Sequence, residues 1–178
     1  MPAARTKAPP SNASPAVVRF KAALVRVGSA VSLEIPKAAG AQLSGMSRLE
    51  GIINGHPFRA RLEAAAAGGY ALRVNQAMLK GAKAKPGDTV QLAVLGPEPD
   101  PVAPADLQRA FASDRAAEAF WDDLTVECRR DYLRWIDATE NPETRARRIR
   151  RTVEQLSEGK RRPCCVNFYE FMLQRVNE

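Results

Sequence analysis

Two different periods divide the chain. From Val17 to about Leu95 apolar and polar residues alternate: Val31, Leu33 and Ile35 fall on one side of an extended segment, and Phe58 to Leu62 and Tyr70 to Val74 repeat the pattern. Alternation of this length predicts half-buried strands. Asn54-Gly55, set between Ile52-Ile53 and Phe58, predicts a tight hairpin, because a primed two-residue turn needs positive φ at both central positions. Short strands at close spacing predict a small barrel or sandwich. Past Leu95 comes Gly96 to Pro104, with four prolines in nine residues. Proline donates no backbone hydrogen bond and favours extended chain, so this stretch reads as a linker.

Beyond the linker the period becomes helical. Leu107, Ala110 and Phe111 form one short stripe, and Ser113 or Asp114 is placed to cap a second helix carrying Ala117, Phe120 and Trp121. Thr125 caps a third, with Cys128, Tyr132, Trp135 and Ile136 at three- and four-residue steps. Asn141-Pro142-Glu143 is a helix start with Asn as cap, Pro where its missing N–H is harmless, and Glu facing the dipole. That helix is expected to bury Ala146, Ile149, Val153 and Leu156 and to stop at Gly159. A last helix is expected between Val166 and Val176. The boundaries that follow are a disordered tail over 1–16, a strand domain over 17–97, a linker over 98–104, a helical domain over 105–162 and an extension over 163–178.

The strand half contains an internal echo. Leu33-Glu-Ile35-Pro36, a short Ala-rich segment, Leu43-Ser-Gly45 and a strand from Leu49 to Ile53 make one copy. Leu72-Arg-Val74-Asn75, a segment through Met78-Leu79, Pro86-Gly87-Asp88 and a strand from Thr89 to Leu95 make the other. Two strand–turn–strand units that lack a closed core singly can complete one barrel together; chance similarity is the competing explanation.

The residues also carry a resemblance. Phe20 through Ile35-Pro36, Gly51-Ile-Ile-Asn-Gly-His56-Pro-Phe58, Gly69 to Val74 and Pro86-Gly-Asp88-Thr-Val90 resemble the DUF1905 domain. Phe120 to Leu124, Arg129 to Ile136 and Glu143-Thr-Arg-Ala-Arg-Arg148-Ile149 are similar to the YdeI or OmpD-associated, bacteriocin-protection family. The resemblance implies an α+β fold, a small double-split β-barrel of the AbrB and MazE kind followed by a helical bundle, in which the echo is two half-barrels fused in one chain. It implies no settled activity, only an association with tolerance of cationic antimicrobial peptides or bacteriocins. The extension from Pro163 onward has no counterpart in that pattern.

Length and charge narrow the function. The chain has 178 residues, 45% of them hydrophobic and 26% charged, with a formal net charge of +7. That suffices for a packed core, and no apolar run is long enough to span a membrane. The N-terminal stretch lacks the apolar core of a secretory signal; its basic, acid-free composition also fits a transit peptide, but it is Pro-rich and has no amphipathic period. Cys164 and Cys165 are adjacent, a spacing that strains a mutual disulfide, which leaves Cys128 without an obvious partner. A reducing cytoplasm is expected.

Catalytic chemistry is poorly supplied. His56 is the single histidine, in a turn with no convergent partner in local sequence, and a turn role is the plainer reading. Cys164-Cys165 lacks the spacer of a zinc pair, and no phosphate-cradling glycine loop or nucleophile elbow is present. No catalytic residue, metal or cofactor is assigned.

The charge, by contrast, is organised. Residues 100–144 carry 5 basic and 11 acidic side chains, and residues 145–162 carry 8 and 2, so the helical half holds two opposed blocks that can neutralise each other. Arg147, Arg150 and Arg151 point away from the apolar face of their helix, which fits either a solvated and internally paired face or a phosphate-binding one. Residues 17–99 carry 11 basic and 5 acidic groups. Arg19, Lys21, Arg59, Arg61 and Arg73 alternate with apolar positions and should share the solvent face of the barrel, while Lys80, Lys83 and Lys85 cluster in a loop. The expectation is a non-enzymatic cytoplasmic binding or stress-tolerance protein with an anionic partner, nucleic acid or acidic protein. The alternative is a nucleic-acid binder that works through the basic barrel face, although no aromatic residues interleave with that face.

Overall fold

A computed structural model describes residues 15–164 and 167–177. They divide into two compact units, one of residues 15–98 with 167–177 and the other of residues 99–164. The tail expected over 1–16 lies, except for its last two residues, outside the described residues, as do Cys165 and Val166.

The first unit is a curled antiparallel sheet. Its strands are β1 (Val17–Ala23), β2 (Val25–Val27), β3 (Ala30–Ile35), β4 (Arg48–Ile53), β5 (His56–Ala64), β6 (Tyr70–Val74) and β7 (Thr89–Leu95), with short helices α1 (Lys37–Gln42) and α2 (Gln76–Gly81) between them. The spatial order is β1-β7-β4-β5-β6-β3-β2. The sheet curls far enough that β1, at one edge, comes close to β3, near the other. Leu33, Leu49, Ile53, Phe58, Leu72 and Val90 fill its inner side, joined by Ala39 of α1 and Met78 of α2.

Two strand–helix–strand units, β3-α1-β4 and β6-α2-β7, follow the echo in the sequence. Equivalent strands pair with each other antiparallel, β3 with β6 and β4 with β7, which is the pairing that a two-fold relation between the copies requires. Leu33 lies opposite Leu72, its own counterpart. Gly45 and Gly87, also counterparts, both hold positive φ, at 82° and 99°, a conformation that a Cβ would strain. Between the copies runs β5, joined to β4 by a hairpin turn whose residues Asn54 and Gly55 have φ of 46° and 81°, as a primed turn requires.

The second unit is helical: α3 (Ala105–Phe111), α4 (Arg115–Asp123), α5 (Val126–Asp137) and α6 (Pro142–Ser157). Each of the last three starts where a side chain satisfies an orphan N–H: Asp114 accepts from Ala117 N, Thr125 from Cys128 N and Asn141 from Thr144 N. α6 packs against α3, α4 and α5, around Leu107, Phe111, Trp121, Tyr132, Ile136 and Leu156. Gly159 closes it, its N–H donating to Leu156 O while Lys160 N–H reaches Gln155 O. One expected core position is wrong: Ala146 is exposed. Ile149, Thr152, Gln155 and Leu156 turn inward instead, and the half-buried stems of Arg145 and Arg148 occupy the edge of that face.

The chain then returns to the first unit as α7 (Phe168–Asn177). Met172 and Val176 cover Ala93 and Leu95 on the outer side of the sheet, with Val17 and Ile52 at the margin. Arg175 reaches Glu98 at 3.6 Å and stacks over Phe171.

Close packing of β4 on β7 depends on Gly51, where an added Cβ would lie 2.3 Å from the carbonyl oxygen of Ala93 and 2.7 Å from Val94 Cα. Both are backbone atoms, so the strands themselves must separate. Gly51→Ala is expected to cost about 1–3 kcal/mol, read as a lower urea midpoint of the purified protein.

Candidate functional site

The outer side of the sheet follows from pairing. Arg19 and Lys21 of β1 lie opposite Ala93 and Gln91 of β7, and Ile52 of β4 continues the row from Ala93. Around them is a groove of about 500 Å³ lined by Arg19, Lys21, Ile52, Asn54, Gln91 and Ala93. Arg19 is partly committed, since one of its Nη groups donates to Val176 O of α7 at 2.8 Å. Both ends of the Asn54 amide are engaged: its Oδ1 accepts from Gln91 N at 2.9 Å and its Nδ2 donates to Ala82 O at 3.2 Å. Lys21 is exposed at the mouth.

The expected basic face is therefore only partly assembled. Arg61 and Arg73 are exposed on the outer side of β5 and β6. Arg59 is not on the solvent: Glu50 faces it across the hairpin, and the two form an ion pair at 2.7 Å with side chains 17% and 13% exposed. A carboxylate one strand away claims the guanidinium before solvent does. Lys80, Lys83 and Lys85 lie off the strands, and not all in a loop. Lys80 is in the last turn of α2, favourably placed against the helix dipole, and the other two are exposed in the connection to β7. Sequence reading passed over Arg48, which lies directly opposite Arg61. The signal was present, because a two-residue turn fixes the register of both strands.

In the helical unit most arginines are internally engaged. Arg145 bridges Asp106 at 2.7 Å and Asp137 at 2.6 Å. Its side-chain hydrogen bond holds the Asp106 carboxyl below the usual carboxylate range against the opposing effect of burial, and the same contact raises the guanidinium. Arg148 donates to Trp135 O at 2.6 Å and lies over its ring. Arg161 meets Asp123 at 3.0 Å, and Arg162 meets the buried Asp131 at 2.7 Å. Arg151 takes Glu154 at 2.9 Å. Arg147 and Arg150 are exposed, without an ion pair or hydrogen bond among the described residues. The two opposed charge blocks thus meet in pairs.

Buried polar groups in this unit lock the segment after α6. The Tyr132 hydroxyl donates to Lys160 O at 2.8 Å, and burial raises its pKa above the ordinary phenol value. Gln155, fully buried, accepts from Cys164 N and donates to its Sγ, both at 3.1 Å.

The single histidine packs flat on α2: a Cβ at Gly81 would fall 2.2 Å from the His56 ring. Among the described residues no group of three or more His, Cys, Asp or Glu side chains is placed to hold a metal ion. No helix among them is long and apolar enough to cross a membrane.

Fold and surface together define a two-part chain, a curled sheet with exposed cations followed by a helical unit that pairs its own charges. Comparison with protein families gives those parts their names. Residues 20–94 match the domain of unknown function DUF1905. Residues 100–159 match the family described as bacteriocin-protection, YdeI or OmpD-associated. The chain carries these two domains in that order. Comparison with curated proteins finds no match. Neither matched segment reaches α7.

Two measurements check this account of the charges. Arg145→Met leaves Asp106 and Asp137 unpaired and is expected to lower stability by about 1–2 kcal/mol, whereas Arg147→Glu with Arg150→Glu should change it by less than about 0.5 kcal/mol. Because the folded-state pKa of Asp106 is depressed, its contribution is complete above the unfolded value and is lost as pH falls. Unfolding midpoints should therefore drop below about pH 4, and Asp106→Asn should flatten that decline.

Proposed function

We propose that this chain is a non-enzymatic, cytoplasmic protein of the bacteriocin-protection type whose basic sheet engages an anionic partner, nucleic acid or acidic protein. One contrast carries the reading. The helical unit spends Arg145, Arg161 and Arg162 on its own aspartates, whereas Lys21, Arg61 and Arg73 of the sheet stand exposed, without an ion pair or hydrogen bond among the described residues. Exposed cations not cancelled within the fold supply a field that attracts negative partners. A positively charged sheet repels a cationic peptide, so protection through it works by occupying the anionic target rather than by sequestering the peptide. The packing of His56 on Gly81 supports a structural rather than a catalytic histidine. Free thiols at Cys128 and Cys164 fit a reducing compartment. The same reading takes the sheet as a double-split barrel related to AbrB and MazE and the helices as a bundle; the antiparallel pairing of the two strand–helix–strand units supports it.

The test is retention of a mixed DNA and RNA pool, and separately of polyglutamate, by the immobilised chain at low and physiological salt. Retention that falls steeply with salt and is reduced by charge reversal at Lys21, Arg61 and Arg73 is expected. Failure to retain either polyanion at low salt overturns the binding reading. Survival of cells expressing the chain under a cationic peptide, no better than that of cells without it, overturns the protective one.

A further inference from the structure

We infer that Arg48, Arg61 and Arg73 form a binding row for a compact oligophosphate, a run of two or three linked phosphates. The inference rests on the anionic-partner reading and gives it a place and a ligand class. Arg48 and Arg61 are directly opposed across β4 and β5. At this point β5 passes from one neighbour to the other: Leu62 donates its N–H to Ser47 O on the β4 side and pairs with Leu72 of β6 on the other. Arg61 and Arg73 each stand one residue from that pair, on the opposite side of the sheet from the partly buried Leu62 and the buried Leu72. Beyond Arg73 the register reaches Ser32 of β3. Arg48, Arg61 and Arg73 therefore occupy neighbouring outward positions on three successive strands, which are spaced by about 4.8 Å at the backbone.

Like charges directly opposed across strands destabilise a sheet. One rung along the same hairpin the arrangement is different, because Glu50 faces Arg59 and neutralises it. Arg48, Arg61 and Arg73 have no ion pair or hydrogen bond among the described residues. The local repulsion is therefore left for an external anion to relieve.

The surroundings select the ligand. Exposed Glu63 and Glu34, with Ala71 between them in the register, form the next outward rung. They bound the row on that side and oppose a long polyanion running along the strands. Tyr70, the nearest aromatic side chain in the register, is partly buried and packs inward against the core and Gly40, so β5 and β6 themselves present no stacking platform for bases beside the row. Arginine forks pair bidentately with phosphate oxygens, which lysine cannot do. A short, dense phosphate chain lying across the strands fits all three conditions better than a nucleic-acid strand. Arg147 and Arg150 differ: Glu143 and Glu154 stand four residues away on the same helix, within reach of partial compensation.

Calorimetric titration of the full chain with sodium tripolyphosphate tests the site. Arg61→Gln and Arg73→Gln are each expected to weaken binding by about tenfold or more, and Arg61→Lys to weaken it despite the retained charge, while unfolding midpoints stay put. Arg147→Gln with Arg150→Gln should leave affinity unchanged. A nucleoside triphosphate binding as tightly as tripolyphosphate, and no tighter, identifies the phosphate chain as the ligand. Equal weakening by the helix and sheet substitutions overturns the row while leaving the anionic-partner reading intact. So does absence of tripolyphosphate binding in a chain that retains nucleic acid or polyglutamate. An oligonucleotide that binds far more tightly than tripolyphosphate and loses affinity with Arg61→Gln overturns the oligophosphate assignment in favour of a nucleic-acid strand.

Discussion

The register set at Asn54-Gly55 governs the first unit. Once Ile53 is paired with His56, every residue of β4 and β5 is assigned a side, and a slip of one position would exchange the core for the surface. Asn54 extends this control to a third strand. Its N–H donates to Gln91 O, its side-chain oxygen accepts from Gln91 N, and its amide reaches Ala82 O beyond α2. One turn residue thus aligns β4, β5 and β7 and ties down the connection between α2 and β7. The pairing of Glu50 with Arg59 and the clustering of Arg48 with Arg61 are both consequences of that single alignment.

Charge in this molecule is sorted by what lies opposite each cation. In the helical unit, the acidic residues of α3 and α5 face α6 and the segment after it, so arginines there act as internal ties. Arg145 joins the start of α3 to the end of α5, and Arg162 satisfies a buried aspartate that would be costly to leave alone. In the sheet the same side chain serves as tie or as exposed cation depending on a single cross-strand neighbour. Net charge alone does not separate these cases; pairing does.

Much of this architecture was legible in the sequence because it rests on local signals. Helix starts at Asp114, Thr125 and Asn141 were readable because a capping oxygen acts on an N–H three residues on. The repeated strand–helix–strand unit was readable from glycine and leucine spacing. Long-range facts were not legible in the same way. That Arg59 would be taken by Glu50 follows from a register which the hairpin turn dictates but which has to be counted outward residue by residue. The exposure of Ala146 depends on the rotation of α6 about its axis, decided by packing against three other helices rather than by its own period. The seat of α7 had no local signal at all, since what it covers is the outer side of strands far earlier in the chain.

That seat bears on how the protein is made. The helical unit is, in effect, an insertion between the strands and the helix that finishes their outer surface. A chain synthesised from its N-terminus presents β1, β7 and β4 long before α7 exists. Until the whole helical unit has emerged, Ala93 and Leu95 remain an uncovered apolar strip. Completion of the earlier-made unit therefore waits on the later one, and during that interval the nascent strands offer a sticky surface to chaperones or to other chains.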